Sequence, residues 1–279
     1  NNIMRTCGIL RGVERLKIQF PAALENPERT QIFLSPIAGW NAYNQVMAGA
    51  AVYNIFSPEK KFEYALAPMY SFRLQEIAGE GQIRYHLYPY NTFVQKITLQ
   101  SGLSRYAYAE DVYDNDIYNI HYSSPLHFTK LDNRVQFLFR NKDQKEQLTQ
   151  TITLRHLYIE RIMPYGLQPP YTDFMVHKFS TRKEKLNYFQ LEAESVNKNE
   201  FYANSQKLSF TIGKEFHKIF LETKNFLSYG KGNKGLDIRL FVGAMKISEK
   251  STSRIDYNMR LSGTDGSHDY FFDEIFPGR

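Results

Sequence analysis

The sequence predicts an all-β protein: an antiparallel up-and-down meander of about eleven or twelve or more strands that forms a transmembrane β-barrel. Three observations carry this expectation. The first is a two-residue rhythm. Leu236, Ile238, Leu240 and Val242 alternate with Asp237 and Arg239, and Ile255, Tyr257, Met259 and Leu261 with Asp256, Asn258, Arg260 and Ser262. A period of two marks a strand with two different faces. The second is the absence of any sustained helical period or fixed repeat, which argues against propellers and solenoids. The third is composition: 20 Tyr and 21 Phe accompany a single Trp in 279 residues, a residue choice that favours pleated strands.

Along the chain, residues 1–28 read as a connecting segment or a first strand, and 29–279 as the barrel. Strands are expected at 31–37 and 44–56, the second rich in small residues (Ala48, Gly49, Ala50, Ala51). Ser57, Pro58, Glu59 and Lys60 form a turn by composition. At 61–72, Phe62, Tyr64 and Leu66 alternate with Glu63, Ala65 and Ala67. The stretch 77–81 is a turn or a glycine-eased strand start. Strands follow at 82–88 and 94–108. The polar interval 110–124 reads as a loop on one rim.

A strand at 131–140 and a charged turn at 141–147 come next. The strand at 149–162 carries an apparent phase slip near His156, the mark of a β-bulge. Residues 164–171 read as a second loop. Strands at 185–196, 206–215, 218–229, 235–247 and 254–262 complete the set, with a hairpin turn at 230–234.

Periodicity leaves open which face meets which solvent. A soluble all-β sandwich turns its apolar face inward, whereas a membrane barrel turns it to lipid. Three features favour the barrel. Charges lie mid-strand on the polar face: Arg84, Glu192, Glu222, Lys224 and Arg239. Aromatics crowd segment ends, at Tyr85, Tyr88 and Tyr90 and at Tyr106 and Tyr108, where an interfacial girdle belongs. Loops such as 110–124 are long beside turns such as 57–60. The charge of +6 is scattered, so no nucleic-acid partner is expected. No apolar run is long enough for a transmembrane helix. No signal peptide is visible. Cys7 stands alone, so no intrachain disulfide forms.

Catalytic motifs are missing. Among His86, His121, His127, His156, His177, His217 and His268 none forms H-E-x-x-H. No G-x-S-x-G or phosphate-binding glycine loop occurs. Two acidic clusters, Glu110, Asp111, Asp114 and Asp116, and Asp265, Asp269, Asp273 and Glu274, lack EF-hand spacing and read as solvated loop charge. No catalytic, cofactor-binding or metal-ligating residue is expected in this chain.

Four stretches add a resemblance: S-P-I-A-G-W-N-A-Y-N-Q-V-M-A-G-A-A-V-Y-N at 35–54, P-E-K-K-F-E-Y-A-L-A-P-M-Y-S-F at 58–72, K-G-L-D-I-R-L-F-V-G at 234–243 and L-S-G-T-D-G-S-H-D-Y-F-F-D-E-I-F-P-G-R at 261–279. From about Leu16 onward the chain resembles the C-terminal region of M1-type (gluzincin) metallopeptidases of Bacteroidota. In that family a peptidase domain precedes a region that looks like an outer-membrane β-barrel. The resemblance implies location in the bacterial outer membrane and a lipid bilayer as partner. It also implies that zinc belongs only to a peptidase domain absent from this sequence. The chain is then expected to be a fragment, an incomplete barrel completed by remaining segments or by envelope protein partners. It would anchor or display the peptidase, or serve as a structural barrel. An outer-membrane channel or transport component and a soluble all-β binding protein are the alternatives.

Overall fold

The computed structural model describes residues 17–18, 32–55, 59–115, 120–141, 147–165, 180–199, 202–229, 234–248 and 271. They form a single sheet of twelve strands in sequence order. The strands are β1 (Lys17–Ile18), β2 (Phe33–Asn41), β3 (Gln45–Tyr53), β4 (Phe62–Ser71), β5 (Glu76–Leu87), β6 (Val94–Asn115), β7 (Ile120–Phe139), β8 (Leu148–Tyr165), β9 (Ser180–Lys198), β10 (Tyr202–Gly213), β11 (Phe216–Ser228) and β12 (Gly235–Ile247). From β2 onward every neighbour is antiparallel, an all-β up-and-down meander. β1 joins β2 in parallel through two residues. Among the described residues no ladder joins β12 back to β2, so the sheet is barrel-like but open. No helix long and apolar enough to cross a membrane occurs among them either.

Local chemistry sets the hairpins. At the β2–β3 turn, Asn41 Oδ1 accepts the backbone N–H groups of Tyr43 at 3.1 Å and Asn44 at 2.6 Å. Such an Asx link shapes a tight turn from an ordinary side chain. Gln45 leaves the turn with φ of 54°. Asn44 also reaches out of the turn: its Oδ1 accepts from Ala107 N at 2.9 Å, and its carbonyl accepts from Ser71 Oγ at 2.8 Å. These bonds tie the β2–β3 turn to β4 and β6 and curl the sheet at this end.

Inside the curl, one cluster of buried side chains runs from Met47 on β3 through Tyr106 and Phe128 to Tyr188 on β9 and Phe216 on β11. Aromatic pairs build it. Tyr106 meets Phe128 at 6.4 Å between centroids, and Tyr188 meets Phe216 at 5.4 Å. Gly213 is small for a reason: a Cβ there would lie 2.5 Å from the Tyr188 ring.

Three expectations change. The interval 110–124 is not a rim loop. β6 runs to Asn115 and β7 starts at Ile120, with pairs such as Asp111↔Ser124 and Tyr113↔Tyr122. A two-stranded arm satisfies its backbone through the ladder, so it needs no apolar alternation to be extended. No bulge lies at His156, where register is continuous on both sides. The irregularities fall in β6 instead, between Val94 and Lys96 and between Ala107 and Ala109. Tyr106 and Tyr108 do not join a girdle. Tyr106 is buried in the inner cluster, and Tyr108 packs on Phe128 while donating to the carbonyl of Ile162 at 2.7 Å.

Of the two readings of 77–81, the glycine-eased strand is the observed one. β5 passes through Gly79 with φ of +135°, and the turn is at 72–75. The strand at 235–247 is found over the residues expected. The strand at 254–262, most of the turns at 141–147 and 230–234, most of the loop at 164–171 and all of 1–28 except Lys17 and Ile18 lie outside the described residues.

Candidate functional site

Away from the inner aromatic cluster the two faces of the sheet differ in chemistry, and their burial is reversed from that of a water-soluble sheet. β10 shows this most simply. Leu208, Phe210 and Ile212 are 46%, 38% and 40% exposed, while Ser209 and Thr211 between them are 0% and 2% exposed. Hydrophobic side chains normally take the buried positions and hydroxyls the exposed ones.

The outward face carries continuous apolar rungs, of which one runs across β5 to β10. Tyr85, Leu99, Val135, Leu154, Leu191 and Phe210 stand side by side on β5 to β10. With strands about 4.8 Å apart, this rung alone covers about 24 Å of width. The apolar stretch ends along the strands in charge. On β8 and β9, Glu160 and Lys183 lie on the same outward side and pair at 3.5 Å. Exposed Tyr88, Tyr90 and Phe93 cluster at the β5–β6 turn.

A polar stripe interrupts the outward face in the middle of the sheet. Ser101, Asn133 and His156 are successive partners on β6, β7 and β8. Ser101 Oγ donates to Asn133 Oδ1 at 2.8 Å, Asn133 Nδ2 approaches His156 Nδ1 at 3.5 Å, and the imidazole packs at a tilt on Phe189, 4.7 Å between ring centroids. The stripe lines a shallow groove of about 590 Å³. His156 is thus a polar residue in register on an apolar face. That is why the sequence looks as though its phase slips there.

The inward face holds the five mid-strand charges read from sequence, and it adds partners. Glu222 accepts from Arg239 Nε at 2.6 Å and lies 3.4 Å from Lys224 Nζ; Glu192 pairs with Lys207 at 2.8 Å. Arg84 lies on the same face one strand before Gln100. Sequence reasoning did not find the focal group, Asp132. Both Arg134 and Arg155 direct Nε and Nη2 to its two carboxylate oxygens at 2.5 to 3.0 Å. Only register reveals this triad, because Arg155 comes from the neighbouring strand and lies opposite Arg134. Deeper on the same face Arg161 Nε donates to Glu184 at 2.7 Å. Forked arginine–carboxylate pairs are the strong, orienting kind of ion pair.

At the opposite strand ends, His86 is buried between Thr98, at 3.0 Å, and Glu63, at 3.4 Å. Beside them Glu59 accepts from Lys96 Nζ and from the Tyr88 hydroxyl at 3.0 to 3.1 Å. Burial works against the charged Glu59. The hydrogen bonds and charge of Lys96, with Tyr88 and His86, more than offset it, and its pKa lies below the ordinary value.

Among the described residues no group of three or more His, Cys, Asp or Glu could hold a metal. The acidic residues at 265–274 lie outside the described residues, as does Cys7. No family model, curated protein or solved structure matches the chain.

Proposed function

We propose that this chain is a wall of an outer-membrane β-barrel whose task is anchoring or structural. In this reading it is the barrel portion of an M1-like metallopeptidase, displaying the peptidase at the bacterial surface, or a structural barrel in an envelope complex. One observation supports it above the others: the reversed faces, typified by exposed Leu208, Phe210 and Ile212 around buried Ser209 and Thr211. An apolar face this broad is costly in water and suited to hydrocarbon. The peptidase connection rests on the sequence segments at 35–72 and 234–279.

The interior favours anchoring over transport. Apolar side chains cluster on it near Tyr106 and Tyr188, and ion pairs between neighbouring strands line it near Asp132. Among the described residues no strand pairs with the outer edge of β12, which suits completion by further segments or a partner chain, since lipid does not tolerate an unpaired strand edge. The test is purification with and without detergent, followed by insertion into a planar bilayer. A detergent requirement and no conductance are expected. A monodisperse protein in plain buffer would return the molecule to the soluble all-β class, and steady conductance would favour the channel.

A further inference from the structure

The polar stripe lies inside the apolar outer face, and register sets its depth. Arg105, Thr129, Glu160 and Lys185 form one rung across β6 to β9, with three charges. Four residues farther along the same strands, Ser101, Asn133, His156 and Phe189 form the stripe. Leu103, Leu131 and Tyr158 separate the two, and Leu99, Val135 and Leu154 follow on the far side. At about 3.3 Å per residue the stripe stands about 13 Å from the charges along the strands, and about 10 Å deeper at the usual tilt of a membrane barrel. A headgroup layer is about 5–8 Å thick, so charges level with the headgroups put the stripe just inside the hydrocarbon boundary.

The stripe is a directed chain of hydrogen bonds with one donor left at its end. Ser101 Oγ donates to Asn133 Oδ1 at 2.8 Å, which turns the amide Nδ2 toward His156 Nδ1 at 3.5 Å. Nδ1 therefore accepts, and the ring proton is on Nε2. Nε2 has no hydrogen-bond partner among the described residues. The neighbours of the ring on this face are Asn133, Leu154, Tyr158 and Phe189, none of them charged. An N–H left unpaired against hydrocarbon is costly, so an acceptor oxygen is expected there.

Two grooves meet at the start of this chain. One, of about 530 Å³, begins beside Arg105 and passes over Gly79 and Gly81 to Ile83 and Ser101. The other, of about 590 Å³, continues from Ile83 and Ser101 past His156 and Phe189 to Leu191 and Phe210. Arg84, Arg134 and Arg155 border the second groove, but the pleat carries their side chains to the inward face. Together the grooves make an apolar trough with a charged mouth and a polar centre, the build of a small-molecule site. We infer that this trough seats one membrane lipid, its acyl carbonyl accepting from His156 Nε2 and its chain lying in the deeper groove. A glycerolipid carries its ester carbonyls at this depth, below the headgroup and above the methylenes. The inference rests on the outer face meeting lipid.

The experiment is native mass spectrometry of the full chain in non-ionic detergent. It is titrated with a diester phosphatidylethanolamine or with the diether analogue, which has the same headgroup and chains but no carbonyl. The parent binds the diester about fivefold more tightly than the diether. His156→Leu binds both alike, at the diether level, and His156→Gln, which restores an N–H donor, recovers the preference. Leu240→Ala, on the same face but on β12 and away from the trough, leaves the preference unchanged. The inference is overturned if the parent binds the two lipids equally or binds neither, or if the ester preference survives in His156→Leu. A dimer that dissociates in His156→Leu would assign the stripe to a second copy of the chain and overturns it too. A spin label at Leu208→Cys separates the premises. Lipid contact there without an ester preference overturns the inference alone, and no lipid contact overturns the outer-face reading with it.

Discussion

Two adjacent rungs of the same strands meet opposite surroundings. Tyr85, Leu99, Leu154, Leu191 and Phe210 face outward, and Arg84, Gln100, Arg155, Gln190 and Thr211, each one residue away, face inward. Strand propensity is shared between them, and so is backbone hydrogen bonding. What differs is only the side on which each residue projects, so chemistry has been sorted by pleat alone. The lesson is that an alternating strand does not say which face is the inside. Relative burial does, and at these rungs it assigns the inside to arginines, hydroxyls and amides, beside the apolar cluster around Tyr106 and Tyr188.

The largest expected effect comes from breaking the inner rung. Asp132→Ala leaves Arg134 and Arg155 opposite each other with their shared acceptor removed. A loss of about 3–5 kcal/mol is expected, measured as a lower urea midpoint of the refolded protein. On the outer rung, Leu191→Arg places a charge in the middle of the apolar face. In bilayers it should cost about 2–4 kcal/mol, while Lys224→Gln, exposed on the inner side, changes stability by less than about 0.5 kcal/mol. If Leu191→Arg proved neutral in vesicles, the outer rung would not meet hydrocarbon.

A fourth substitution tests the backbone that both faces share. Gly79 has φ of +135°, and a Cβ there would lie 2.3 Å from the carbonyl oxygen of Ala67. Gly79→Ala should therefore cost about 1–3 kcal/mol in the same unfolding measurement. The smallest effect is acidic. Glu59 has a folded pKa below the usual 4.5, so its ion pair with Lys96 contributes fully above about pH 4.5 and is lost as pH falls through the lower folded value. Solvent exposure limits the contribution to about 0.5 kcal/mol. Glu59→Gln should flatten the stability profile below pH 5 by that amount.

Much of the fold was legible because most of the strands carry their own alternation, as 235–247 shows with matching boundaries. Extended residues that are polar on both sides were not legible. The β6–β7 arm around 110–124 gives no periodic signal, yet it pairs through its backbone. His156 misled for the converse reason: it holds register while breaking the chemistry of its face, because Ser101, Asn133 and Phe189 receive it. The buried Tyr106 was lost among other tyrosines, since sequence position near a segment end does not distinguish a girdle from an inner cluster. The Asp132 triad depends on which residues register places side by side, and no single strand contains that information.

The most direct test of the reversed faces is a pair of spin labels on neighbouring residues of β10, at Leu208→Cys and Lys207→Cys, in lipid vesicles. Collision with oxygen reports hydrocarbon, and collision with a water-soluble nickel complex reports water. Lipid contact on the outer face predicts that the label at 208 relaxes strongly with oxygen and weakly with nickel, and that the label at 207 shows less oxygen contact. A label at 208 shielded from both reagents, or open to nickel, would contradict it.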